Sequence, residues 1–221
     1  KTPLAVAYTA NDALINFSAG NDPQKRNEYL NIVKKQLNNL SFMVEKILSL
    51  SIEEEPDFSL NITTFCIKPE LERVVGLYKR ENGKEVLISI NVNPENLEVK
   101  VDKFHLLNVM GNLIDNAVKY SGNSVKISIE AFLEEEHQRN ATKHIVKITL
   151  TDNGNGMNSE EQKHIFEKFY RVPTGDIQEV RGYGLGLFYA KEIIEKHGGK
   201  ITVESKKGEG SKFIIRLKGR N

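Results

Sequence analysis

The stretch that most constrains this chain is a row of polar residues along an otherwise apolar helix. Asn108, Asn112, Asn116 and Tyr120 recur every fourth residue, with Lys119 beside them. That spacing places them on one face of a helix beginning near Asp102. Leu106, Leu107, Val109, Met110, Leu113, Ile114, Ala117 and Val118 fill the remaining positions, so the helix must be deeply buried. An amide buried without a partner costs about 1–3 kcal/mol. The seam therefore needs a polar neighbour, either the backbone that satisfies an ordinary core amide or a ligand.

Four further blocks follow in order: Asp152-Asn153-Gly154-Asn155-Gly156, Phe166-Glu167-Lys168-Phe169-Tyr170-Arg171, Gly182-Tyr183-Gly184-Leu185-Gly186-Leu187, and Gly208-Glu209-Gly210. A single glycine-rich motif is weak evidence, but five elements in one order are specific. Together they resemble the N, G1, F, G2 and G3 boxes of the catalytic, ATP-binding domain of bacterial sensor histidine kinases. These belong to the wider GHKL superfamily that includes gyrase, Hsp90 and MutL. The resemblance implies an α+β fold, a two-layer α/β sandwich of the Bergerat type preceded by an α-helical hairpin. ATP and Mg²⁺ are the implied cofactors.

Composition sets looser bounds. With 221 residues, 39% of them hydrophobic, the chain can form one good core and a smaller accessory element. A formal net charge of +1, with basic and acidic residues interleaved, speaks against nucleic acid as a partner. Cys66 is the one cysteine, which excludes an intramolecular disulfide and suits a reducing compartment. No apolar run approaches the ~20 residues that span a bilayer. A cytoplasmic location is expected, with any membrane anchor in segments outside these residues.

The chain divides around a charge run ending in proline, Glu53-Glu54-Glu55-Pro56-Asp57. Residues 1–52 read as a helical hairpin, 53–57 as a linker and 58–221 as the catalytic domain. In the second hairpin helix Leu30, Val33, Leu37, Leu40, Val44 and Ile47 step alternately by three and four, a period of 3.5 that suits coiled-coil-like packing. Homodimerisation through this hairpin is expected, with a hairpin closed on its own domain as the competing reading. Beyond the linker the pattern predicts a strand at 58–67, a helix at 69–79, strands at 85–92 and 97–101, and the seam helix. Strands at 125–133 and 144–151 follow, joined by a charged loop from Glu134 to Asn140. A short helix at 159–166, a helix at 183–197 and strands at 200–205 and 212–217 complete the reading.

Each block suits a particular chemistry. The neutral side-chain oxygen of Asn116 is a hard ligand fit for Mg²⁺, and the resemblance assigns it that role. Asn112 can orient phosphates or metal-bound water, Lys119 offers a point charge to phosphate, and Tyr120 can lay its ring on adenine. The gyrase and Hsp90 branches place a glutamate at the position of Asn112 as the base that activates water for hydrolysis. Asn112 cannot do this, which favours ATP held for transfer. Asp115 lies about 100° away around the helix and is a poor substitute.

Asp152 can accept from the adenine amino group, and Gly154 and Gly156 allow tight turns and close backbone approach; the family assigns Asp152 this reading of the base. An ordinary Asp-Asn-Gly hairpin turn is the alternative for the motif alone. The block formed by Gly182, Gly184, Leu185, Gly186 and Leu187 opens a helix whose free N–H groups can receive phosphate oxygens. A dinucleotide-binding turn fits poorly, because no strand directly precedes Gly182. Between Asp152 and Gly182 a lid is expected, with Arg171 reaching the terminal phosphates.

Lys1-Thr2-Pro3-Leu4 resembles the end of a phosphoacceptor motif of the form His-Glu-x-Lys-Thr-Pro-Leu, which places the acceptor histidine just upstream of Lys1. Thr2 then falls where the family positions water for dephosphorylating a response regulator. None of the five histidines, His105, His137, His144, His164 and His197, stands in the acceptor context. The expected function is a sensor histidine kinase core that binds Mg-ATP and passes the γ-phosphoryl group to a histidine and then to an aspartate of a response-regulator receiver. This fragment is expected not to phosphorylate itself. An ATP-hydrolysing clamp and a catalytically silent dimerisation or scaffold module are the alternatives.

Overall fold

The computed structural model of the chain describes residues 3–16, 22–54, 59–78, 80–81, 84–138, 141–172 and 183–219. Lys1, Thr2, residues 17–21, linker residues 55–57, Gly182 and residues 173–181 of the expected lid lie outside these. Two compact units divide at Glu54: Lys1–Glu54 and Glu55–Asn221.

The first unit is a helical hairpin of α1 (Pro3–Asn16) and α2 (Pro23–Glu54), whose helices pack on each other. Asp22 starts α2. Its Oδ1 accepts from the backbone of Gln24 at 2.9 Å and Lys25 at 3.3 Å, and Pro23 takes the first helical position, where its missing N–H costs nothing. Helix α2 runs through Glu53 and Glu54, past the point where the charge run suggests a linker. Glutamate favours helix, and Pro56 is the residue that cannot continue one. The buried residues of α1 are the small Ala7 and Ala10. Leu4, Tyr8 and Ile15 on α1, and Leu30 and Leu37 on α2, are at least half exposed. Leu30 and Leu37 of the 3.5-period stripe are therefore left uncovered, while Val33 and Leu40 are half-buried. The side chains of Val44 and Ile47 lie outside the described residues.

The second unit pairs helices with a mixed sheet. Its strands are β1 (Ile62–Cys66), β2 (Arg80–Glu81), β3 (Lys84–Asn93), β4 (Glu98–Asp102), β5 (Ser124–Gln138), β6 (Ala141–Asp152), β7 (Lys200–Lys206) and β8 (Gly210–Lys218). The main sheet runs β2-β3-β5-β6-β8-β7, while β1 and β4 form a separate antiparallel pair. Among the described strands β3 and β5 are parallel neighbours; the other pairs are antiparallel. The helices are α3 (Ile67–Val75), α4 (Lys103–Tyr120), α5 (Ser159–His164) and α6 (Gly186–Lys196).

Alternation explains which face is covered. Along β5, Val125, Ile127, Ile129 and Ala131 are buried, whereas Lys126 is exposed and Ser128 and Glu130 are half-buried. Val146, Ile148 and Leu150 on β6 and Phe213, Ile215 and Leu217 on β8 continue the apolar face. Against it lie Leu106, Val109, Met110, Leu113, Ile114, Ala117 and Val118 of α4 and Ala190, Ile193 and Ile194 of α6, all buried. This is the expected two-layer α+β architecture.

Three local expectations shift. Glu134–Gln138, expected as loop from its charges, belongs to β5 and pairs with β6 as far as Ala141. Glu134 bonds Lys147 at 2.7 Å and lies 3.8 Å from Arg216, so cross-strand ion pairs let a charge run continue a strand. Helix α3 starts at Ile67, ahead of Pro69, which is tolerated in a first turn. Helix α6 starts at Gly186 and not at Tyr183, because Gly184 has φ +72° and cannot be helical.

Candidate functional site

The polar seam has two fates. Helices α4 and α6 lie antiparallel, and three polar rungs join them. At one end the backbone N–H of Asp102 donates to Nε2 of His197 at 2.9 Å, while Nδ1 of His197 lies 2.7 Å from the Ile193 carbonyl. In the middle, the Tyr189 hydroxyl lies 2.8 Å from Nδ1 of His105. At the far end Nδ2 of Asn112 donates to the Gly186 carbonyl at 3.5 Å. Asn112 of the seam is thus bonded to α6. Farther along, the half-buried Asn116 and the exposed Lys119 make no side-chain hydrogen bond or ion pair among the described residues. Both groups could meet a ligand.

The start of α4 is anchored by Asp102, whose two carboxylate oxygens accept from the backbone of His105 at 3.1 Å and Asn61 at 2.8 Å. The end of α4 meets the loop after β6. The Tyr120 carbonyl accepts from Asn155 N–H at 2.9 Å. A Cβ on Gly154 would come 2.8 Å from Asp152 Oδ1, 3.0 Å from the Tyr120 carbonyl and 3.2 Å from Ser121 Oγ, so only glycine fits this corner. Asn153 stitches the loop to β5: its Oδ1 accepts from Lys126 N–H at 2.7 Å and its Nδ2 donates to the Ser124 carbonyl at 3.0 Å.

Asp152 is 8% exposed at the end of β6. Burial raises its carboxyl above the usual range, and two backbone donors, Gly154 and Ser211, pull the other way. Both bonds, 2.8 Å and 3.2 Å, fall on Oδ1. Oδ2 is left for a donor such as an exocyclic amine.

The first turn of α6 has Leu185 at its N-cap and no side-chain cap, whereas Asp102 and Asn158 cap α4 and α5. Its leading N–H groups are therefore open to an anion. A Cβ on Gly186 would sit 3.3 Å from Asn112 Oδ1, so the seam and this turn are in contact. Gly184 O accepts from Phe169 N–H at 3.0 Å, and a Cβ on Gly184 would meet Phe169 and Tyr170 backbone at 2.6 Å. The start of the lid is thereby tied to the glycine turn.

Of the residues named from sequence, Asn112, Asn116, Lys119 and Tyr120 line α4, Asp152, Gly154 and Gly156 form the adjoining loop, and Gly184 and Gly186 lead into α6. The Leu185 side chain is 1% exposed, so what it offers a ligand is its backbone; Leu187 is half-buried and Arg171 exposed. Thr2 and Gly182 lie outside the described residues. The donor set fits Mg-ATP: an amide oxygen without a partner among the described residues for a hard cation, N–H groups that no described side chain caps for phosphates, and a buried carboxylate for the base. Sequence reasoning missed Tyr189, Ser205 and Ser211. Ser205 Oγ accepts from Met157 N–H and donates to the Gly210 carbonyl, both at 2.8 Å, holding the Asp152 loop to the β7–β8 hairpin.

Of the four histidines with described side chains, His105, His164 and His197 are hydrogen-bonded, whereas Nδ1 of His144 is buried without a hydrogen-bond partner among the described residues. It lies 3.9 Å from Glu135. His164 is paired with Glu167 at 2.7 Å, and this bond, with Glu160, raises its basicity.

Residues 101–221 match the family model described as histidine kinase-, DNA gyrase B- and HSP90-like ATPase. The sensor protein RprX of Bacteroides fragilis is 33% identical over 98% of this chain and 41% of its own length. The chain spans less than half the length of the curated relatives it matches. The nucleotide-free catalytic domain of histidine kinase ThkA is 26% identical with a TM-score of 0.58, over 72% of this chain and 97% of that one. ThkA in complex with the response regulator protein TrrA has a similar fold, with a TM-score of 0.65 at 23% identity, over 98% of this chain and 60% of that one. No described helix is long and apolar enough to cross a membrane. With its matched region covering more than half of the sequence, the chain belongs to the histidine kinase-, DNA gyrase B- and HSP90-like ATPase family.

Proposed function

We propose that this chain is the ATP-binding catalytic part of a sensor histidine kinase, which holds Mg-ATP for phosphoryl transfer to a histidine contributed outside these 221 residues. The observation that carries the reading is the divided seam. Asn112, where a hydrolysing relative needs a carboxylate, is a neutral amide bonded to Gly186, and Asn116 is left open. Asn116 would hold the metal, which when bound neutralises charge on the phosphates. The uncapped turn at Gly186, with Lys119 and Arg171, would orient the phosphate chain. Asp152 Oδ2 would accept from the adenine amino group, and Tyr120 would flank the ring.

Transfer then needs positioning more than covalent chemistry. A neutral imidazole nitrogen attacks the γ-phosphorus as the bond to the ADP oxygen breaks, and ADP leaves. The phosphoryl group passes next to a receiver aspartate. The response-regulator complex of the structurally similar ThkA supports that partner, and the exposed stripe of Leu30 and Leu37 supports a homodimer through the hairpin.

Titration calorimetry with ATP at millimolar Mg²⁺ tests the site. Wild type is expected to bind, and Asn116→Ala to bind at least about tenfold more weakly with its Mg²⁺ dependence lost, as for removal of a metal-supporting group. No binding by wild type would instead indicate a silent module. With γ-labelled ATP the chain alone is expected to stay unlabelled, while a histidine-bearing hairpin added in trans becomes labelled. Stable phosphohistidine on this chain, or many turnovers without an acceptor, would overturn the kinase reading.

A further inference from the structure

We propose that Tyr189 is a positioning residue for phosphate binding: its hydroxyl, 2.8 Å from Nδ1 of His105, fixes α6 along α4 and so sets where the glycine turn stands relative to Asn112 and Asn116. The proposal rests on the nucleotide-site reading above.

Ala190, Ile193 and Ile194 of α6 are buried, but apolar burial is non-directional and does not by itself fix register. Register must come from directional groups, and the three rungs are not equal. The His197 rung lies beyond the last turn of α6, far from the phosphates. The Asn112 rung reaches the glycine turn but is long, at 3.5 Å. The Tyr189 rung is short, at 2.8 Å, and lies one turn from Gly186. Tyr189 is also 3% exposed, and a hydrogen bond withdrawn from water is stronger and more exacting in geometry.

The Tyr189 hydroxyl stays protonated, because burial, the largest cause, pushes it up to about 12. Its hydrogen can be donated to Nδ1 of His105, 2.8 Å away. Burial, the largest cause, and the neighbouring His197 lower the basicity of His105, against Asp102, which raises it. This favours the neutral ring, whose Nε2-protonated tautomer has Nδ1 as its acceptor. Little slack remains at the other end of the turn, because a methyl group on Gly186 would already crowd Asn112 Oδ1 at 3.3 Å. A slide of a fraction of an ångström would misplace every N–H that α6 offers to phosphate, and misplacements of that order weigh heavily in site chemistry.

The experiment compares Mg-ATP with adenosine by titration calorimetry on the whole chain, well below its melting temperature. Adenosine reports the Asp152 end of the site, which α6 does not build. Tyr189→Phe keeps the ring and removes the hydroxyl. It is expected to weaken Mg-ATP about tenfold while adenosine stays within about twofold, the scale of one lost buried hydrogen bond. His105→Leu is expected to match it. His105→Gln, which retains a hydrogen-bonding side chain, is expected to stay within about threefold of wild type. These His105 variants decide the matter if Tyr189→Phe does not fold. ATP affinity unchanged in Tyr189→Phe and His105→Leu, or ATP and adenosine weakened alike, would overturn the positioning role. Failure of the unmodified chain to bind Mg-ATP at all would instead overturn the site reading, and the positioning role with it.

Discussion

Asp152→Asn is expected to weaken ATP binding by about 100-fold while leaving the thermal midpoint at neutral pH unchanged or higher, because an unmatched polar pair in a buried site is costly and an unneeded buried charge is too. The substituted amide would keep a carbonyl oxygen to accept from Gly154 and Ser211, the two donors that now meet Oδ1. In place of Oδ2 it would present an N–H₂ group to the adenine amino group, donor against donor. Burial is the largest influence on the native carboxyl and raises it above 3.8. Its ionised form is thus disfavoured in the folded protein. The stability associated with a raised group is fully present below the unfolded value and is lost as pH rises through the folded one. The variant's advantage in the melt should accordingly be present at neutral pH and close on acidification. Wild-type ATP affinity should decline as pH is lowered toward the raised value, starting earlier than for a solvated aspartate. Melts and titrations of both proteins across that range check this. A variant that loses stability in step with affinity would mean that the two backbone bonds require the charge.

That separation between binding and stability also marks what could be read from the chain. The seam was legible because a four-residue polar spacing among leucines contradicts burial unless something answers it, and α6 answers Asn112. Asp152 and Gly154 were legible because the motif is local: the glycine amide bonds the aspartate two residues away. Tyr189 was not. Its partner His105 is 84 positions distant, and a tyrosine among apolar residues carries no sign of what its hydroxyl meets. Ser211 contributes only a backbone N–H to Asp152, a group every residue but proline possesses. The strand at Glu134–Gln138 was hidden because its charges are compensated across the sheet by Lys147 and Arg216, which local composition cannot reveal. The Leu30 and Leu37 stripe was visible as a period, and its exposure in one copy is a property of packing alone.

Gly210→Ala is expected to abolish nucleotide binding and to lower stability by more than about 3 kcal/mol, since it combines a strained backbone with a collision that cannot relax. Gly210 has φ +96°, outside what an L-residue adopts without strain. A Cβ there would stand 2.0 Å from the Asp152 carbonyl oxygen, 2.9 Å from its carbon and 3.1 Å from Asn153 Cα. All three atoms are backbone, so no rotamer change relieves the overlap. Either β8 leaves β6 at its first residues or the Asp152 loop moves. Both would break the Ser211 bond to Asp152 and the Ser205 bond to the Gly210 carbonyl. Gly208, two residues earlier in the same hairpin turn, supplies the control. It also has positive φ, +83°, but nothing lies within 4 Å of its Cβ position. Gly208→Ala should therefore cost only the conformational strain, about 1–2 kcal/mol, and should retain ATP binding. Urea unfolding of both variants separates the two terms. If their midpoints coincide, the close approach of β8 to the Asp152 loop is not what requires glycine at 210, and left-handed geometry alone accounts for both positions.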